Sequence, residues 1–94
     1  MATVISGDFE WDDAKAATNL AKHGVAFDEA VTVFDDPDAL DMPDLLDPTR
    51  LVLIGESRRL RVLFVVHAER GDRVRLISAR RASPAQRRVY EKGR

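Results

Sequence analysis

Hydrophobic positions follow two regimes along the chain. In the first half they recur at helical spacing. Ala14, Ala17, Leu20 and Ala21 predict a helix from Asp13 to about His23, with those four as its apolar stripe. Asp12 occupies the N-cap position, and acids at that end suit the helix dipole. Gly24 stands where a left-handed C-terminal residue belongs. A second short helix follows: Phe27, Ala30, Val31 and Phe34 fall at i, i+3, i+4 and i+7, and Asp36-Pro37 ends it. Residues 35–49 are acidic and proline-rich and read as a loop, with a short extended piece around 40–42. After Arg50 the regime changes. Leu51-Val52-Leu53-Ile54 is a short apolar run, Leu60, Val62, Phe64 and Val66 alternate, and residues 73–80 form the next strand. Ser83-Pro84-Ala85-Gln86 then opens a last helix, with serine as cap, proline at N1 and glutamine at N3 completing a capping box. The expected architecture is α+β: two N-terminal helices packed on a small antiparallel sheet, followed by a C-terminal helix.

Register decides which side chains meet. Two-residue turns at Arg70-Gly71 and Arg58-Arg59 bring Arg61 opposite both Arg80 and Glu56. One face then carries Leu51, Leu53, Leu60, Val62, Phe64, Val66, Ile77 and Ala79, and is expected to lie under the first two helices. The other carries Val52, Ile54, Leu63, Val65, Val74, Leu76 and Ser78. On it Glu56, Arg61 and Arg80 form a row at one end, and His67 lies at the other.

Composition narrows the class. Ninety-four residues predict one domain over 1–94, and 45% hydrophobic residues exclude general disorder. The absence of cysteine excludes disulfides and thiolate zinc sites. No apolar run approaches the roughly 18 to 20 residues of a spanning helix, and the N-terminus lacks signal-peptide regions. A cytoplasmic location away from membranes is therefore expected. The formal net charge of −1 hides a division. Residues 1–49 hold two basic and twelve acidic groups, a balance of −10, whereas residues 50–94 hold thirteen basic and four acidic groups, +9. Twelve of those thirteen are arginines, the cation suited to bidentate phosphate contacts. Such asymmetry points to nucleic acid or to an oppositely charged partner.

A carboxylate beside two arginines on a basic sheet fits RNA cleavage without a metal. A base removes the 2′-hydroxyl proton, and cations hold the phosphate and stabilise transition-state charge. Glu56 is the candidate base, with Arg61 and Arg80 as phosphate ligands. Neighbouring arginines depress a carboxylate's pKa and weaken it as a base, so His67 and Tyr90 stand as alternative proton-transfer groups. Arg58, Arg59, Arg75, Arg81, Arg87 and Arg88 are the candidate RNA contacts. Competing readings are structural: an ion ladder for the row, a packing role for His67 and Tyr90, and a helix-dipole role for His23. The acidic stretch 35–47 lacks the glycine and terminal glutamate of an EF-hand loop, and the two histidines lack metal-motif spacing, so no metal or cofactor is expected. Two non-enzymatic classes use the same features: a nucleic-acid-binding module, or an interaction protein whose acidic half docks a basic partner.

Particular residues carry a family resemblance. Phe9-Glu10-Trp11-Asp12, Asn19-Leu20, Lys22-His23-Gly24-Val25, Phe27, Glu29-Ala30, Val33-Phe34 and Asp36-Pro37 resemble the opening of BrnT toxins. The run from Val74 through Arg75-Leu76-Ile77-Ser78-Ala79-Arg80-Arg81 to Ala82, with Tyr90-Glu91 beyond it, is similar to that family's C-terminal signature. The resemblance implies a RelE-like fold and a ribonuclease toxin that arrests translation. It further implies a BrnA-like antitoxin, a DNA-binding dimer encoded beside the toxin. The toxin then works in a hetero-oligomer with RNA as substrate, and operator DNA is reached only through the antitoxin. The family's basic sheet residues correspond to Arg61 and Arg80, and Glu56 to its hairpin acid. Ala26 departs from the serine or aspartate often found as the second helix's cap, which leaves that helix start less secured.

Overall fold

The structure, a computed structural model, describes residues 2–93. It opens with a hairpin, β1 (Thr3–Ser6) and β2 (Phe9–Asp12), turned by Gly7-Asp8 with Gly7 in the left-handed region at φ 59°. Then come α1 (Asp13–His23) and α2 (Phe27–Val31), the latter running into a 3-10 turn over Thr32–Asp35. Next are β3 (Leu40–Pro43), β4 (Leu51–Glu56), β5 (Val62–Arg70), β6 (Arg73–Arg81) and α3 (Pro84–Lys92). All six strands form one sheet in the order β1-β2-β6-β5-β4-β3. The β2–β6 pair is parallel and the other pairs are antiparallel. The α+β class therefore holds, but strands precede the helices and the sheet is mixed and twice the expected width. Strands of four residues are too short to display a period, which is why the first hairpin is hidden in the sequence.

Local signals match the helix ends. The Asp12 carboxylate accepts from Lys15 N–H at 3.3 Å, and Gly24, at φ 68°, donates to the Leu20 carbonyl. Ser83 and Gln86 form the reciprocal capping box at 2.9 and 3.1 Å. Ala26 gives α2 no side-chain cap, so burial of Phe27 and Ala30 fixes that helix instead. The apolar stripe expected on α1 is not its buried face: Ala14, Ala17, Leu20 and Ala21 are all exposed. Asn19 is buried there in their place. Its amide donates to the carbonyls of Val25 (2.9 Å) and Ala79 (2.8 Å) and accepts from Ala79 N–H at 3.0 Å. A fully satisfied buried amide tolerates burial and fixes the helix to β6 in one position.

Both turns of the meander differ from expectation, and the register moves with them. Gly71-Asp72, not Arg70-Gly71, connects β5 to β6, so that Arg70 faces Arg73. A bulge then leaves Ile77 unpaired between the His67–Leu76 and Val66–Ser78 pairs, and it brings Phe64 opposite Arg80. Between β4 and β5 the loop has three residues, 58–60, closed by a Ser57 N–H to Arg61 carbonyl bond of 2.8 Å. An odd loop shifts the ladder by one, which exchanges the faces of a whole strand. Leu53 thus pairs with Val65, and Glu56 pairs with Val62. Under α1 and α2 lie Leu53, Leu63, Val65, Leu76 and Ala79, packed with Trp11, Val25, Phe27, Ala30 and Val33. Val62, Phe64 and Val66 belong to the opposite face, where they pack with Val52, Ile54 and Tyr90 of α3. Gly55 lets β4 approach the 3-10 turn: a Cβ there would stand 2.9 Å from Val33 Cγ1 and from Ala39 Cβ. Among the described residues no helix is long and apolar enough to cross a membrane.

Candidate nucleic-acid interface

The predicted row of Glu56, Arg61 and Arg80 does not form. Glu56 stands across the ladder from Val62 and borders a hollow with Thr32, Asp35, Asp36, Ser57 and Arg58. Arg61 turns toward α2, where its guanidinium grips the buried Glu29 carboxylate. Nε donates to Oε2 at 2.9 Å, Nη2 donates to Oε1, and Nη2 also reaches the Gly24 carbonyl at 3.2 Å. Arg80 lies on the α3 face. Its Cζ sits 4.1 Å from the Phe64 ring centroid, and Nη1 donates to Gln86 Oε1 at 3.1 Å. The one-residue shift at the β4–β5 loop and the bulge at Ile77 together separate the two arginines.

Two other candidate catalytic groups are enclosed. His67 is buried edge-on to Phe34 at 4.9 Å, and among the described residues neither ring nitrogen has a hydrogen-bond partner. Burial pushes its pKa below the usual imidazole value, against the weaker opposing pull of Asp41 and Glu69. Tyr90 is fully buried, and its hydroxyl donates to Asp36 Oδ2 at 2.5 Å, an oxygen that also accepts from Glu56 N–H at 2.8 Å. Both side chains are packing residues in this structure, removed from any solvent-borne substrate.

What the fold does assemble is a basic end of the sheet. A hollow of about 380 Å³ lies where β5 begins and β6 ends, lined by Leu60, Arg61, Val62, Arg81, Ala82, Pro84 and Arg87. Arg81 is exposed and has no acidic partner among the described residues. Arg87 is tied only to exposed Glu91, at 3.0 Å. Exposed Arg58 and Arg59 flank the hollow on the hairpin tip, and Arg88 is exposed on α3. Arg75 stands apart: its Nη1 donates to Glu10 Oε2 at 2.6 Å across the parallel β2–β6 pair. It is occupied by an internal partner rather than offered to solvent. Among the described residues no three His, Cys, Asp or Glu side chains come together as metal ligands.

Two features of this end were not legible in the sequence. Glu29 is one. Its carboxylate accepts from Ser57 Oγ at 2.7 Å as well as from Arg61, and Arg59 lies 3.9 Å away. The Arg61 hydrogen bonds hold its pKa below the usual carboxylate value, although burial opposes them. The same bonds raise the Arg61 pKa. A lone glutamate beside an apolar stripe gives no hint of a partner 32 residues away. The other is Leu60, a leucine at φ 62° and 76% exposed.

The model of a family described as "Ribonuclease toxin, BrnT, of type II toxin-antitoxin system" matches residues 11–86. No curated protein sequence matches the chain. Among solved structures, the ribonuclease toxin BrnT of Brucella abortus is similar: 33% identical, TM-score 0.65, with 78% of this chain and 92% of that one covered. With three quarters of its length matched by the model and the solved toxin sharing its fold, the chain belongs to the BrnT family of ribonuclease toxins of type II toxin-antitoxin systems.

Proposed function

We propose that this chain is an endoribonuclease that cleaves RNA by internal attack of the 2′-hydroxyl, without a metal ion. The observation that carries the reading is the hollow in which Arg61, Arg81 and Arg87 converge at the end of the sheet. The 2′-oxygen attacks the adjacent phosphorus and the bond to the 5′-oxygen breaks, leaving a 2′,3′-cyclic phosphate and a 5′-hydroxyl. Negative charge accumulates on the non-bridging oxygens as this happens. Fixed guanidinium groups stabilise that charge more than they stabilise the ground state. Arg61, pinned by Glu29, retains Nη1 for a phosphate oxygen, since only Nε and Nη2 are used internally among the described residues. Glu56 is our assignment for the base: it is directly across the ladder from Val62, a wall of the hollow. The 5′-oxygen takes its proton from solvent. Arg58, Arg59 and Arg88 extend the basic surface along the RNA backbone, and Arg80 adds a cation on the α3 face.

A type II toxin has an antitoxin. We assign a BrnA-like protein whose acidic residues meet these arginines and cover the hollow. That partner supplies the operator contacts, since α1 and α2 lie in the acidic half and offer no basic recognition helix. Arrest of translation in a cytoplasmic setting is the expected outcome of free toxin.

The test is RNA cleavage by purified protein in excess chelator. Cleavage should persist and the products should carry cyclic phosphate ends. Arg81→Ala combined with Arg87→Ala should lower the rate by on the order of a hundredfold or more with little change in thermal midpoint, because both side chains are exposed. Activity that disappears with chelation and returns with magnesium overturns the metal-free reading. RNA bound with a steep salt dependence but left intact would make the chain a binding module instead.

A further inference from the structure

Four consecutive residues at the tip of the β4–β5 hairpin, Arg58-Arg59-Leu60-Arg61, combine features that packing does not explain. Leu60 adopts φ 62°, a region in which an L side chain crowds its own backbone and which glycine enters freely. Yet Leu60 is largely exposed, so no core contact holds it there. The loop is instead braced from below. Ser57 Oγ donates to Glu29 at 2.7 Å, and Arg59 N–H donates to that same hydroxyl at 3.2 Å. Arg58 N–H donates to Thr32 Oγ1 and Leu60 N–H to the Ser57 carbonyl, both at 2.8 Å. A residue kept in an unfavourable conformation by surrounding bonds marks a functional constraint more often than an accident.

The place of that side chain supplies the constraint. With Val62, Ala82 and Pro84, Leu60 forms the apolar lining of the hollow, against the arginines Arg61, Arg81 and Arg87. The hollow's volume falls in the range of small-ligand sites. An apolar wall facing a cluster of cations is complementary to a ligand with a flat apolar part and an anionic part a few ångströms away. One nucleotide of a single strand has that form, and unpaired bases are what proteins contact on RNA.

We propose that the hollow is a one-nucleotide subsite, with Leu60 as the wall against which an unpaired base rests while the arginines hold its flanking phosphates. The proposal rests on the reading that this end of the sheet binds RNA, and it assigns a part of that site that phosphate contacts alone do not require.

The experiment measures binding of a short 2′-O-methyl RNA, which lacks the attacking hydroxyl, to the full chain and to Leu60→Gly and Leu60→Phe. Leu60→Gly should keep a thermal midpoint at or above the parent's, because it removes the backbone conflict, yet bind the oligonucleotide about tenfold more weakly. Leu60→Phe should bind at least as tightly as the parent. An oligonucleotide with an abasic residue in the subsite should bind parent and Leu60→Gly alike. Equal affinity of parent and Leu60→Gly for the intact strand overturns the subsite, and so does an equal loss on the abasic strand. If Leu60→Gly binds RNA normally but no longer binds the antitoxin, the tip belongs to the protein partner and the proposal falls. Cleavage of ordinary RNA by the parent chain is scored separately, so a failed subsite leaves the ribonuclease reading standing. A parent that neither binds nor cleaves RNA removes both.

Discussion

The two ends of β5 solve the same problem with different chemistry. At the far end Gly71, at φ 61°, supplies the left-handed residue of the turn without strain, and nothing lies within 4 Å of where its side chain would be. His67, just inside that end, is held neutral among apolar neighbours. At the near end a leucine occupies the left-handed position, and a buried carboxylate, two hydroxyls and an arginine hold the loop in place. The glycine turn needs no outside support. The leucine turn needs the whole Glu29 network. Cost is accepted where the surface faces the basic hollow and avoided where it does not.

Breaking the near end should have the largest effect. Glu29→Ala leaves the half-buried Arg61 guanidinium without its counter-charge, a loss of about 3 kcal/mol. The thermal midpoint should fall by on the order of 15 °C. Arg61→Ala should be costly in the same way, because it strands Glu29, and the double variant should recover part of the loss. Independent, additive losses in calorimetry would show that the pair is not the brace.

Acid should then separate the two ends in sequence. The folded pKa of His67 lies below its unfolded value of 6.5, so the unfolded chain binds the proton first. Its contribution is complete above pH 6.5 and is lost as pH falls from there toward the folded pKa, by up to about 1.4 kcal/mol per pH unit. Glu29 is also depressed, from 4.5, so its contribution is complete above pH 4.5 and is lost below that as pH falls through the folded pKa. Thermal midpoints of His67→Leu should be flatter than the parent's just below pH 6.5 and should follow it again below pH 4.5. A parallel slope for both proteins between pH 6.5 and 5 would contradict the burial of a neutral imidazole. Smaller and opposite effects are expected at the two turn residues. Gly71→Ala should destabilise by about 1 kcal/mol, whereas Leu60→Gly should be neutral or stabilise by about 0.5 kcal/mol. If both substitutions move stability in the same direction, the contrast between the ends is mistaken.

How far the sequence alone reached follows from the range of each interaction. Asp12, Gly24, Ser83 and Gln86 were readable because a cap is decided within four residues. The charge division also survived, since it needs no geometry. Register was lost at two single residues. Leu60 takes a left-handed conformation that leucine does not advertise, and Ile77 is an extra residue in an otherwise regular strand. Each changes an odd count to an even one and moves everything beyond it to the other face. For that reason Val62, Phe64 and Val66 were placed under the wrong layer, and Arg61 and Arg80 were put side by side. Asn19 and Glu29 escaped because a polar residue is legible as core only once its partners, 60 and 32 residues away, are in view. The packing readings of His67 and Tyr90, by contrast, agree with where the fold puts them.

The position of β6 has a consequence for the chain as it is being made. Synthesis runs from the N-terminus, so the β1–β2 hairpin and α1 appear early. Their neighbour in the sheet, however, is β6, the last strand of the chain. Until residues 73–81 have been made, β2 keeps an open edge and Asn19 lacks the Ala79 groups that it binds. Arg81 and Arg87 arrive only with that same final segment. A growing polypeptide therefore completes its sheet and its cluster of cations in one late step, so an unfinished toxin is also an unarmed one.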